Sequence, residues 1–169
     1  MELTLYSLTD YNNGVLVSHT FDLDLIDTKE EYLEAINEWL SSIKGEPREE
    51  WIVCDYEDIP SNLVGEYDLD DSFWNLKEIA GELENQGYSE PWDIIEAFIS
   101  YQGDCDFTAT DLLDAYQGQA DSDEDFVYQL CMDCNDWESN ELFNYIDWER
   151  VTRDYMMDFH EFNGYYFRC

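Results

Sequence analysis

Cys131-Met132-Asp133-Cys134 is a C-x-x-C pair, the spacing of a zinc half-site or a redox dithiol. Zinc needs a second pair or two histidines, and His19 and His160 do not stand at finger-like spacing. Both cysteines fall on the apolar face of an expected helix, so core packing is the expectation. Asp104-Cys105-Asp106-Phe107-Thr108 and Asp121-Ser122-Asp123-Glu124-Asp125 open like calcium loops. The first has Ala109 where the sharp turn needs glycine and Ala115 where the bidentate glutamate belongs. The second has Phe126 and Met132 there. Carboxylate pairs for acid–base catalysis carry no signal, because with 42 Asp and Glu every spacing occurs. No glycine-rich phosphate loop and no G-x-S-x-G nucleophile turn is present. The expectation is a protein that is not an enzyme, with no catalytic residues, no metal and no cofactor.

The carboxylates themselves are the chemistry. The chain has 169 residues and 42 acids against 7 Lys and Arg, a formal net of −35. Residues 78–149 contain no Lys or Arg and 20 Asp and Glu, among them Asp133, Asp136, Glu138, Glu141, Asp147 and Glu149. Acidic chains poor in aromatics are disordered. This one is 17% aromatic and 44% apolar, enough to build a core. Halophilic acidity would not bring 6 Trp and 13 Tyr. Self-repulsion on this scale works against a compact state, which suggests a use. The sign excludes direct binding to nucleic acid or anionic lipid and favours a basic partner. No apolar run approaches a membrane span, Met1-Glu2-Leu3-Thr4 does not open a leader, and the five cysteines read as reduced thiols. A cytoplasmic location is expected.

A series of short elements must position these charges. Leu3–Leu8 alternates as a strand, Asn12-Asn13-Gly14 is a turn, and Val15–Phe21 can return as a second strand. Thr28-Lys29-Glu30-Glu31 has capping-box spacing and opens a helix to about Ile43, with Tyr32, Leu33, Ile36, Trp39, Leu40 and Ile43 apolar. Trp51-Ile52-Val53-Cys54 reads as a third strand. A helix carries Phe73, Leu76, Ile79, Ala80 and Leu83 and ends at Gly87. Another starts near Ser89-Glu90-Pro91 and buries Trp92, Ile95, Phe98 and Ile99, with Asp93 and Glu96 on its other side. Thr108-Ala109-Thr110-Asp111 caps a third, carrying Leu112, Leu113 and Tyr116. Ser122-Asp123-Glu124-Asp125 opens a helix with Phe126, Val127, Leu130, Cys131 and Cys134 on one face. A last helix spans about Trp148 to Met157, before a hairpin around Asn163-Gly164. The pattern is mixed, helical, mixed: an α+β protein.

Duplex DNA carries one charge per ~1.7 Å, so 35 charges cover roughly 60 Å of duplex. A globule of this length is about 40 Å across. The charge density thus approaches that of DNA if the chain is somewhat elongated.

Several segments, in order, resemble the ArdA antirestriction family. They are Asp10-Tyr11-Asn12-Asn13-Gly14, Trp51-Ile52-Val53-Cys54-Asp55-Tyr56-Glu57, Asn144-Tyr145-Ile146-Asp147-Trp148-Glu149-Arg150 with Arg153-Asp154, and Gly164-Tyr165-Tyr166-Phe167. Trp148 stands where tyrosine is common in the family. The resemblance implies an elongated chain of three small subdomains with an acidic surface: residues 1–60 mixed α/β, 61–107 helical, and 108–169 mixed α/β and dimerising. It implies a homodimer that imitates B-form DNA and occupies the DNA-binding groove of Type I restriction–modification enzymes, protecting incoming mobile or phage DNA. The acids expected on that surface are Asp68, Asp70, Asp71, Glu78, Glu82, Glu84, Glu90, Asp93, Glu96, Asp104, Asp106, Asp111 and Asp114. The family's antirestriction motif falls on about residues 120–135, with Asp121, Asp123, Glu124 and Asp125 as matching acids. The alternative is an acidic blocker or adaptor of another basic nucleic-acid-binding protein, such as a Cas effector.

Overall fold

A computed structural model describes residues 1–134 and 145–169, excluding the side chain of Cys134. Asn135, Asp136, Glu138, Glu141, Asn144 and that side chain therefore lie outside the described residues. The chain is mixed α+β. Among the described residues it has seven α-helices and two three-stranded antiparallel sheets. It divides into two compact units, Met1–Glu78 and Ile79–Cys169.

The first unit is built on a sheet of order β2-β1-β3, from β1 (Glu2–Ser7), β2 (Ser18–Asp22) and β3 (Trp51–Glu57). Leu3 and Leu5 alternate inward from β1 and are fully buried, with Phe21 of β2 beside them at 5% exposure. Strand β1 stops one residue earlier than its alternation suggests. Leu8–Asn12 forms a helix, α1, capped by Ser7, whose hydroxyl accepts from Asp10 N–H. Strand β2 starts at Ser18, not Val15. Strand β3 runs on through Asp55, Tyr56 and Glu57, and a register shift opposite Thr4 and Leu5 leaves Cys54 as its extra residue.

Helix α2 (Lys29–Ser42) follows its Thr28 cap. Glu31 reaches back one residue further than a capping box requires, accepting from Asp27 N–H. Its buried residues are Tyr32, Ile36 and Leu40. Phe21 meets Tyr32 and Trp39 edge to face, tying β2 to α2. Tyr32 donates to Asp68 at 2.8 Å, and burial drives its hydroxyl pKa far up.

A buried ion pair sits beside α1. Arg48 grips Asp10 with two hydrogen bonds, Nε at 3.0 Å and Nη2 at 2.8 Å, and Ser7 donates to the same carboxylate at 2.7 Å. The guanidinium and then the hydroxyl hold Asp10 down at about 2, against an ordinary 3.8. A lowered carboxyl pKa stabilises the fold above its unfolded value and loses that contribution as pH falls through the folded one. Between about pH 4 and pH 2 the protein should therefore lose stability that an Arg48→Met variant lacks from the start. Melts of both proteins across that range check this: the variant should melt several degrees lower at neutral pH, and the gap should close in acid.

Helix α3 (Ser72–Asn85) contains the boundary between the units and buries the expected Phe73, Leu76, Ile79, Ala80 and Leu83. Helix α4 (Pro91–Gln102) has Pro91 in its first turn and ends at Gly103, in the left-handed region. Its buried stripe is Pro91, Ile94, Ile95, Ala97 and Phe98, while Trp92 and Ile99 are only half-buried. Helix α5 (Ala109–Ala115) has the complete reciprocal capping box of Thr108 and Asp111. Tyr116 leaves the helix and opens β4 (Tyr116–Gln119).

Helix α6 (Asp123–Cys134) and helix α7 (Trp148–Tyr155) precede the hairpin of β5 (Phe159–Phe162) and β6 (Tyr165–Arg168). The hairpin turns on Asn163 and Gly164, both at positive φ, as a two-residue loop of this twist requires. Strand β6 lies between β4 and β5 and is buried on both faces. Phe167 packs on Phe98 and Tyr101 of α4. On the other face Tyr166 stacks on Phe126 of α6, with centroids 4.0 Å apart and planes within 5°. Tyr165-Tyr166-Phe167 is thus an unbroken apolar run because both faces of its strand are covered.

Candidate functional site

The acids expected to form the surface fall into two groups. Some have work to do within the fold. Asp68 is half-buried and accepts from Tyr32. Asp70 accepts from Ser72 N–H and hydroxyl at the start of α3, which lowers its pKa. Asp71 pairs with Lys29. Asp111 is held low by the Thr108 hydroxyl. Glu90 accepts from Tyr165 at 3.0 Å; burial first, and then that carboxylate, push the Tyr165 hydroxyl up to about 12. Asp104 accepts from Asp106 N–H.

The others are exposed, and their carboxylates make no hydrogen bond to another described residue: Glu78, Glu82, Glu84, Asp93, Glu96, Asp106 and Asp114. Glu82 and Glu84 lie in the last turns of α3, where the helix dipole disfavours negative charge and where no basic residue stands. Folding gains nothing from them there. Glu78 and Glu82 are one helical turn apart, about 6 Å along the axis. Every second phosphate of one DNA strand advances about 6.8 Å. Asp111 and Asp114 share an open depression of about 390 Å³ with Tyr101 and Arg168, where the cation offsets part of their field.

In the motif region, Asp121, Asp123, Glu124 and Asp125 are all exposed. Ser122 caps α6, donating to Asp125 Oδ2 at 2.6 Å and accepting from Asp125 N–H. Asp123 accepts from Tyr166 at 3.0 Å, and burial raises that phenol's pKa. The carboxylates of Asp121 and Glu124 make no hydrogen bond to a described residue. Helix α6 packs its other face, Phe126, Val127 and Cys131, into the core with Phe159 and Tyr166. Cys131 is a buried free thiol.

Strand register adds acids that sequence reasoning did not single out. Glu2 is directly opposite Asp22 on one side and Glu57 on the other, and Asp55 lies opposite Thr4 on the same face. Three carboxylates thus cross the sheet in one row on its uncovered face, a destabilising arrangement. Only the pairing brings these distant positions together. Alternation in β1 was the available signal, because it put Glu2 opposite the buried Leu3 and Leu5.

Such crowding predicts a salt response. Raising ionic strength from about 0.01 M to about 1 M shortens the Debye length from about 30 Å to about 3 Å. The melting temperature should rise over that range. A melt that does not move would show that the carboxylates do not load the fold.

Among the described residues, no group of three or more His, Cys, Asp or Glu is placed to hold a metal ion. No helix among them is long and apolar enough to cross a membrane.

The fold and these carboxylates define an acidic α+β protein. Comparison with known families makes this specific: the model of ArdA, described as an antirestriction protein, matches residues 6–168, and the chain belongs to that family. No curated protein matches the chain. Several residues that carry the likeness build the fold. Asp10 holds Arg48, Asp147 caps α7 by accepting from Arg150 N–H, and Tyr166 and Phe167 fill the second core.

Proposed function

We propose that the protein blocks Type I restriction–modification enzymes by offering its carboxylates where their DNA-binding groove expects phosphates. The observation that carries this is the set of outward acids with no role in folding, above all Glu82 and Glu84 at the unfavourable end of α3. Membership of an antirestriction family supports the same reading. Helices hold these charges at fixed spacing, so the groove meets a pre-ordered array, and mutual attraction makes association fast. Each unit contributes exposed acids to the mimicry: Glu2, Asp22, Asp55, Glu57, Asp70, Asp71 and Glu78 in the first, and those of residues 82–125 in the second. Asp68, whose carboxylate is spent on Tyr32, contributes least. The protein works as a homodimer of protomers with subdomains 1–60, 61–107 and 108–169. It acts in the cytoplasm without touching nucleic acid, and incoming mobile or phage DNA is protected.

Competition on a gel tests this. A Type I methyltransferase core bound to its labelled duplex is titrated with the protein. Displacement at near-stoichiometric amounts is expected; a duplex that stays bound under excess folded protein would refute the reading.

A further inference from the structure

Strand β2 is an edge of the first sheet. At the two ends of its ladder with β1, Ser7 N–H donates to Val17 and Leu23 N–H donates to Met1. Bonded and non-bonded pairs alternate along an antiparallel ladder. Residues 17, 19, 21 and 23 therefore turn their backbone groups toward β1, and Ser18, Thr20 and Asp22 turn theirs outward. Among the described residues no backbone group takes those of Ser18 and Thr20, while the Asp22 carbonyl caps the short 3-10 helix Leu23–Leu25.

Native sheets guard such edges with charge, proline or bulges. The opposite edge, β3, has all but the proline: Asp55, Glu57 and a register shift, together with a bond from Val53 N–H to Glu66. Strand β2 has one charge, Asp22 at its end, and neither proline nor register shift. Residues 11–21 hold no charge and no proline, in a chain that is 29% charged, and Val15 and Leu16 beside the strand are 52% and 67% exposed.

We infer that the open edge of β2 docks an extended protein segment in which basic side chains alternate with apolar ones. A strand added there continues both faces of the sheet. On the uncovered face it extends the row Glu57, Glu2, Asp22, so its side chains on that face are Lys or Arg. On the other face it lies beside His19 and Phe21, which pack on Trp39, so those side chains are apolar. A second copy is the wrong occupant. Residues 1–78 carry 20 Asp and Glu against 4 Lys and Arg, and pairing two β2 edges would bring two such units together. This docking does not depend on DNA mimicry.

The probe is a labelled heptapeptide alternating lysine and valine, set against a peptide of the same composition with its lysines in one block. Net attraction is equal for both, so only strand pairing separates them. The alternating peptide should bind about tenfold tighter, from a few added backbone hydrogen bonds. It should slow amide exchange at Ser18, Thr20 and Asp22. Thr20→Pro removes an outward donor at an edge, where proline is tolerated, and should erase the difference. Methylating alternate amides of the peptide should erase it with the protein unchanged. Equal binding of the two peptides, protection confined to other residues, or an advantage that survives methylation would overturn the inference.

Discussion

Replacing Phe126 with alanine is expected to cost about 3–5 kcal/mol, the usual range for a fully buried phenylalanine, and to abolish antirestriction activity. Phe126 is 3% exposed, stacks on Tyr166 and meets Phe159 edge to face at 5.1 Å. Domains of this size have roughly 5–15 kcal/mol in total, so the loss is a large share. The consequence for activity follows from position. Phe126 anchors the inner face of the helix whose first turn presents Asp123, Glu124 and Asp125. When that face loses its anchor, the acids lose their fixed geometry without any change in charge. Tyr166→Phe is the matched control. It keeps the stack and removes only the hydrogen bond to Asp123, so it should cost about 1 kcal/mol and leave inhibition near normal. Urea melts with an inhibition assay on each variant check both. Full inhibition by a destabilised Phe126→Ala protein would show that the target does not need α6 in place.

The same residues explain what the sequence disclosed. Phe126, Val127 and Cys131 were legible as a buried face because a helix repeats every 3.6 residues, and Asn163-Gly164 was legible because few residues accept positive φ. Capping-box spacing marked the starts of α2 and α5, and the acids after Ser122 marked that of α6. Helix α1 carried the same signal, Ser7 followed three residues later by Asp10, but the alternation of Leu3 and Leu5 invited a longer strand. Strand β4 was hidden for another reason. Four residues, Tyr116 to Gln119, have little periodicity of their own and owe their conformation to pairing with β6. The site was legible as a charge excess and not as a geometry. Sequence gave Asp68 and Glu84 the same weight. Only the fold shows that one carboxylate is engaged by Tyr32 while the other faces solvent against a helix dipole.

That distinction makes a prediction in which stability and function move in opposite directions. Glu78, Glu82, Glu84 and Glu96 are exposed and sit on α3 and α4, and their carboxylates make no hydrogen bond to a described residue. Changing all four to glutamine takes the formal charge from −35 to −31. It also relieves the dipole at the end of α3 and some of the general repulsion, so the melting temperature should rise. Inhibition should weaken. Exposed ion pairs contribute little each, so four lost contacts sum to roughly a five- to several-hundredfold loss of affinity, less in high salt. Single substitutions should be hard to distinguish from the parent, because a distributed surface has no dominant contact. A destabilised mutant that loses activity says little about where its target binds. A stabilised mutant that loses activity says that those carboxylates served the partner. If the four-glutamine protein melts higher and still displaces DNA as its parent does, the acids of α3 and α4 are not the groups that stand in for phosphate.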